Sequence, residues 1–141
     1  MPATRSENLE WLMSHRLRVL IVDDNQDMVG MLQAVLELQG YEVKGIYSAL
    51  TIAVDVVEFE PDVVVLDIAM PGRTGWAAAR EIRSMPAVKR KVTLIALSGE
   101  YLNAPDKAMW KKSGFDHFVV KTSDPMLLVE LISSCGGEPK T

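Results

Sequence analysis

The sequence predicts an α/β fold in which a parallel five-stranded sheet is covered by helices on both faces. Two observations carry this. Short apolar runs alternate with segments of helical period, five times in succession. Several of those runs, such as Val63–Leu66 and, apart from Arg18, Leu17–Val22, are apolar throughout, as strands buried on both faces must be. Strands separated by helices of about ten residues require right-handed crossovers and parallel pairing.

Each element follows from local chemistry. Leu17–Val22 (LRVLIV) is a buried strand that ends in Asp23 and Asp24. Asp27–Gln39 places Met28, Met31, Leu32, Val35, Leu36 and Leu38 at helical spacing, and Gly40 stops the helix. Asp24 or Asn25 can cap it. Tyr41–Tyr47 alternates, so the second strand has a more exposed face. Ser48 is placed to cap a helix over Ala49–Phe59, which stops before Pro61. Val63–Leu66 is the most β-branched run and predicts the central strand. Asp67–Thr74 is a loop with Pro71–Gly72 as its turn, and Gly75–Met85 is a helix ending at Pro86. Val92–Leu97 is the fourth strand. Ala104–Ser113 is a short helix with Pro105 in its first turn and Gly114 behind it. Phe115–Val120 is the fifth strand. Ser123, Asp124 and Pro125 open a last helix over Met126–Ser134.

Composition narrows the function. With 141 residues the chain fits one domain, 48% of it hydrophobic and 24% charged, which excludes a disordered chain. Cys135 is the single cysteine, so there is no disulfide framework, and it reads as an inert thiol. The charge sum of −4 is a poor footing for nucleic-acid binding, which rests on neutralising phosphates. Residues 1–15 lack the apolar stretch of a signal peptide, and no run approaches the ~20 residues of a membrane helix. The expected location is the cytoplasm. Three parts are expected: an extension over 1–16, in which Leu9, Trp11, Leu12 and Met13 make one amphipathic turn; a folded domain over 17–135; and a flexible tail over 136–141, with no output domain encoded.

In open parallel sheets, ligands gather beyond the carboxyl ends of the strands, where the strand order reverses. The first strand ends in Asp23 and Asp24, the third in Asp67, the fourth in Ser98 and the fifth in Lys121. Any one of these is commonly a turn former or cap; four complementary strand ends together are not. If the first and third strands are neighbours, the three carboxylates meet. Their mutual repulsion is relieved by a divalent cation, and an all-oxygen donor set favours a hard ion such as Mg²⁺. With the Lys121 cation and the Ser98 hydroxyl, the set suits phosphoryl transfer to a carboxylate.

The motifs LRVLIVDDNQDM, VVVLDIAMPGRTGWAAAREIR, TLIALSG and FDHFVVK, in this order, resemble those of two-component response-regulator receiver domains from about Arg16 to Cys135. The resemblance implies a flavodoxin-like (βα)5 three-layer sandwich with strand order 2-1-3-4-5. It implies that Asp67 is the phosphoacceptor, fed by a histidine kinase or a histidine phosphotransfer protein. Mg²⁺ would be held by Asp23, Asp24, Asp67 and the backbone carbonyl of Ala69, with Asp23 acting through water. Ser98 and Phe118 would be the switch pair, and Lys121 would bind the phosphoryl group. Output would pass to a protein target, or through self-association, by the fourth helix, fifth strand and fifth helix. The chain departs from the family pattern at Thr122, where proline is usual, and at Thr74, where many members carry Asp; Ala69 and Glu100 occupy positions that influence phosphoryl lifetime.

Two other readings compete. A degenerate receiver would be a phosphate-independent binding module, but such members tend to lose the acidic pair or the lysine, and all are present here. An acyl-phosphate phosphatase carries a second carboxylate in its nucleophile loop, which Asp67–Ile68–Ala69 lacks. The basic stretches Pro86–Lys91 and Lys111–Lys112 read as solvated faces. His15 and His117 have no metal-ligand spacing, and His117 reads as an exposed strand position. Trp110 reads either as half-buried packing or as part of the output surface.

Overall fold

A computed structural model of the chain describes residues 4, 16–86, 91–99, 104–121 and 124–136. Five strands, β1 (Arg18–Val22), β2 (Glu42–Ile46), β3 (Val63–Asp67), β4 (Thr93–Ser98) and β5 (His117–Val120), alternate with five helices. The helices are α1 (Gln26–Leu38), α2 (Ile52–Phe59), α3 (Gly75–Ser84), α4 (Ala104–Ser113) and α5 (Pro125–Gly136). All strand pairs are parallel, in the order β2-β1-β3-β4-β5.

The pleat sorts the core into two layers, because successive strand residues point to opposite faces. Val19, Ile21, Val63, Val65, Ile95 and Leu97 face α1 and α5, where they meet Leu32, Leu36 and Ile132. Leu20, Val22, Val64, Leu66, Leu94 and Ala96 face the other helices, meeting Ile52, Val56, Ala79 and Ile82, with Trp110 half-buried at the margin. All five residues of β3 are buried, as expected of the central strand, whereas β2 and β5 at the sheet's edges are mostly half-buried. His117 is therefore half-buried rather than exposed.

Most stops and starts follow the sequence. Asn25 caps α1 by accepting a hydrogen bond from the Met28 amide, and Gly40 takes the left-handed conformation behind it at φ 93°. Thr74 caps α3 by accepting from the Ala77 amide, so a hydroxyl does what the commoner carboxylate would do. Gly72 and Gly114 have φ of 85° and 98° at their turns. The start of α2 differs. Ser48 Oγ accepts from the Leu50 amide and closes a turn, Ala49 is buried beneath it, and the helix begins three residues later at Ile52. Ser48 satisfies the short turn into the helix rather than the helix itself. α5 reaches Gly136, one residue into the expected tail. Cys135 is half-buried, and burial pushes its thiol above the usual range, consistent with an inert group. Lys111 and Lys112 are exposed in the last turn of α4. Glu100, Thr122 and His15, with most of 1–16, of the Pro86–Lys91 stretch and of the tail, lie outside the described residues. Among the described residues no helix is long and apolar enough to cross a membrane.

One side chain ties three segments together. Arg83, near the end of α3, donates to the Gly114 carbonyl (2.9 Å), the Val92 carbonyl (2.6 Å) and Asp116 Oδ2 (2.7 Å). Asp116 Oδ2 also accepts from the Leu94 amide at 2.9 Å. This needs the planar fork of a guanidinium; an ammonium cannot reach all three acceptors. Arg83→Lys is expected to lower the unfolding free energy by about 1–3 kcal/mol, read from the urea midpoint at unchanged slope.

Candidate functional site

The strand order decides the site. β1 and β3 are neighbours, with Val22 opposite Leu66, so the residues that end them lie side by side. Asp23 follows β1, and its amide continues the ladder by donating to the Ile46 carbonyl at 3.1 Å. Asp67 is the last residue of β3. Asp23 is 0% exposed and Asp67 2%, while Asp24 faces solvent. One carboxylate oxygen from each of the three lies within 4.8 Å of the others.

Lys121 enters from the far side. Its amide donates to the Ser98 carbonyl at 2.6 Å, extending the β4–β5 ladder by one step. Its side chain then returns toward the sheet centre, where Nζ lies 2.9 Å from Asp23 Oδ2 and 3.0 Å from Asp67 Oδ2. The remaining oxygens are held locally: Asp23 Oδ1 accepts from the Asn25 amide and Asp67 Oδ1 from the Ala69 amide. Burial is the largest influence on Asp67 and lifts its carboxyl above the usual range; Asp23 adds to this, while Lys121 and the Ala69 amide oppose it. For Lys121, burial pulls the other way, but hydrogen bonds and charge from Asp23 and Asp67 outweigh it and raise the ammonium.

Three carboxylates against one ammonium leave a formal surplus of two negative charges. Asp23 Oδ2 is also buried without an aligned hydrogen bond, held only by its ion-pair contact with the lysine. An all-oxygen cluster with spare charge and spare lone pairs fits a hard divalent cation. Asp23, Asp24 and Asp67 could hold one, with the exposed Asp24 on the solvent side.

The other strand-end residues are close by in the fold. Ser98 ends β4 as a buried residue, in register with Val120, and Asp67 is in register with Leu97 beside it. Phe118 lies on β5, half-buried against the core layer shared by α2, α3 and α4. Ala69 sits exposed two residues beyond Asp67.

Gly75, which with Met70–Pro71 matches the family's loop signature after the acceptor, has a packing reason to be glycine. Gly75 opens α3 directly behind Asp67, and its amide donates to the Ile68 carbonyl at 3.2 Å. A Cβ there would lie 2.5 Å from the Asp67 carbonyl oxygen and 2.7 Å from Ile68 Cα. The signature marks the position; the close approach of the helix to the end of β3 explains it.

The chain as a whole resembles known proteins. Residues 19–133 match the family described as response regulator receiver domain. The CAI-1 autoinducer sensor kinase/phosphatase CqsS of Vibrio cholerae serotype O1 is 31% identical over 121 residues, which are 85% of this chain and 17% of that protein. The chain thus spans well under a fifth of that relative's length. Among solved structures, the Vibrio cholerae chemotaxis protein CheY4 superposes with a TM-score of 0.78 at 24% identity, over 85% of this chain and 98% of that one. A putative response regulator from Chloroflexus aurantiacus gives 0.77 at 25%, over 86% and 98%.

Proposed function

Because the chain belongs to the response regulator receiver domain family, we propose that it takes a phosphoryl group on Asp67 from a phosphohistidine donor and signals through the resulting change of shape. The donor is a histidine kinase or a histidine phosphotransfer protein, and the setting is the cytoplasm. The observation that carries the reading is the contact of Lys121 Nζ with both Asp23 and Asp67, beside an acidic cluster sized for one cation.

In the transfer, a carboxylate oxygen of Asp67 forms the new O–P bond as the donor's N–P bond breaks, and the leaving imidazole takes up a proton. Mg²⁺, held by Asp23, Asp24, Asp67 and the Ala69 carbonyl, would supply neutralisation of the phosphoryl charge. Lys121 exchanges its contact with Asp67 for one with a phosphoryl oxygen. Ser98 offers its hydroxyl to another, and Phe118 follows by turning into the space beside β4. The altered surface of α4, β5 and α5 then selects a protein partner or a second copy. The chain would catalyse its own phosphorylation and the slow loss of the phosphoryl group to water.

The test uses intact mass. With Mg²⁺ and acetyl phosphate, the wild type is expected to gain the mass of one phosphoryl group. Asp67→Asn gains none, and omission of Mg²⁺ abolishes the gain. An unmodified wild type, or an equal adduct on Asp67→Asn, overturns the assignment.

A further inference from the structure

The outer side of α2 and α3 carries an ordered pattern of charge and apolar surface. The two helices lie side by side on one face of the sheet. On α2, Val54 and Val57 are 54% and 49% exposed and stand one turn apart, so they form a single apolar strip. Leu50, in the turn before the helix, is also exposed and extends the strip toward the loop after Asp67, where a Cβ on Gly72 would lie 3.8 Å from Leu50 Cδ2. On α3, Ala77 is half-buried and Ser84 exposed, so small residues lie beside the strip.

Two charges border this surface. Three of the five charged residues of α2 and α3 are matched within the chain: Asp55 by Lys44 at 3.6 Å, Glu81 by Arg73, and Arg83 by Asp116 at 2.7 Å. Glu58 and Arg80 are both exposed and, among the described residues, have no ion-pair partner. They stand at opposite borders. Glu58 comes three residues after Asp55, on the flank turned to Lys44 of the edge strand β2 and away from α3. Arg80 comes three residues before Arg83, on the flank turned to Gly114 and Asp116 and away from α2. Glu58 also sits in the last turn of α2, where the helix dipole is negative and no basic residue of the helix offsets it.

A surface with an acid at one border, a base at the other and aliphatic groups between them is complementary to itself. Under a two-fold axis placed between α2 and α3, each border meets the opposite border of a second copy, and both charge pairs form at once. We propose that this face pairs two copies of the chain, Glu58 of each facing Arg80 of the other with Val54 and Val57 enclosed between them. Helices of this size are roughly 12 and 15 Å long and pack about 10 Å apart, so the face falls well short of the ~800 Å² that each partner of a stable complex buries. The dimer is therefore weak, with a dissociation constant on the order of 100 μM. The surface is separate from that of α4, β5 and α5, and the inference does not rest on phosphorylation.

Sedimentation equilibrium of the full chain, from about 10 μM to about 1 mM, tests it. The wild type is expected to form a reversible dimer that weakens as salt is added. Glu58→Lys and Arg80→Glu should each be monomeric throughout, because each sets like charges together at both contacts. Mixed in equal amounts, the two variants should dimerise again, since every contact between them then joins opposite charges. Val54→Ser/Val57→Ser, altered at exposed positions outside both core layers, should weaken the dimer at least about tenfold. A wild type that stays monomeric at the highest concentration overturns the proposal. So does a dimer that either single charge variant retains, which would place self-association on another face, and so does a mixture that stays monomeric. No phosphodonor is used, so failure here is separate from failure of the phosphoacceptor assignment.

Discussion

Gly75→Ala is expected to lower the unfolding free energy by about 2–4 kcal/mol, a large part of a typical domain's margin. The added methyl has nowhere to go. Its nearest neighbours would be the Asp67 carbonyl oxygen at 2.5 Å, Ile68 Cα at 2.7 Å and the Asp67 carbonyl carbon at 3.0 Å, all of them backbone. Backbone at the end of a strand buried along its whole length cannot turn aside as a side chain can. Either α3 backs away from β3 or the end of β3 moves, and both break the Gly75 to Ile68 hydrogen bond. Gly30→Ala is the matched control. Gly30 lies inside α1 with nothing within 4 Å of its would-be Cβ, so alanine there is expected to stabilise by about 0.5–1 kcal/mol. Urea unfolding of the two variants therefore gives opposite signs. If both stabilise, the close approach of α3 to the acceptor strand is wrong. The surviving folded fraction of Gly75→Ala should also be phosphorylated more slowly, because the displaced atoms belong to Asp67 itself.

Lys121→Met should cost about 3–5 kcal/mol at neutral pH, the order found when one partner of a buried ion pair is removed. Methionine keeps the volume and removes the charge. Asp23 and Asp67 are then left buried without their cation, and Asp23 Oδ2 loses the contact that holds it. Without a bound cation, the molecule escapes by protonating a carboxylate. Asp67 is the candidate, since burial already lifts its pKa and the lysine's opposing pull is gone. A carboxyl raised in the folded state binds more protons there than in the unfolded chain, so stability falls as pH rises. The penalty is absent below the ordinary carboxylate range, grows as pH rises from there, and is complete once pH passes the raised value. Thermal unfolding of Lys121→Met should thus worsen steeply from acid to neutral pH. Lys121→Met/Asp67→Asn, with one charge fewer, should lose much of that slope. A Lys121→Met melting curve matching the wild type at neutral pH would show the ion pair to be idle.

The strand ends were legible in the sequence because a parallel strand buried on both faces is a continuous apolar run, and a charged residue that ends such a run stands at the sheet's edge. Asp23 and Asp67 could be placed from that rule alone; Lys121 ends a more polar edge strand, where the rule is weaker. Their meeting could not, because periodicity within a strand says nothing about which strand lies next to it; the order came with the family resemblance. Local rules misplaced the start of α2, since Ser48 has a cap's chemistry and spends it on the turn that buries Ala49. They were silent on Arg83, whose three acceptors come from segments 9 to 33 residues away.

The position of Asp67 and Lys121 on different kinds of strand has a mechanical consequence. β3 is clamped by a ladder on each side and buried at every residue, whereas β5 is held by β4 alone and is mostly half-buried. The two residues are the ends of one spring stretched between a fixed post and a compliant one. Under the proposed phosphorylation, a change at the carboxylates is therefore expected to move the rim at β5 more than the centre at β3.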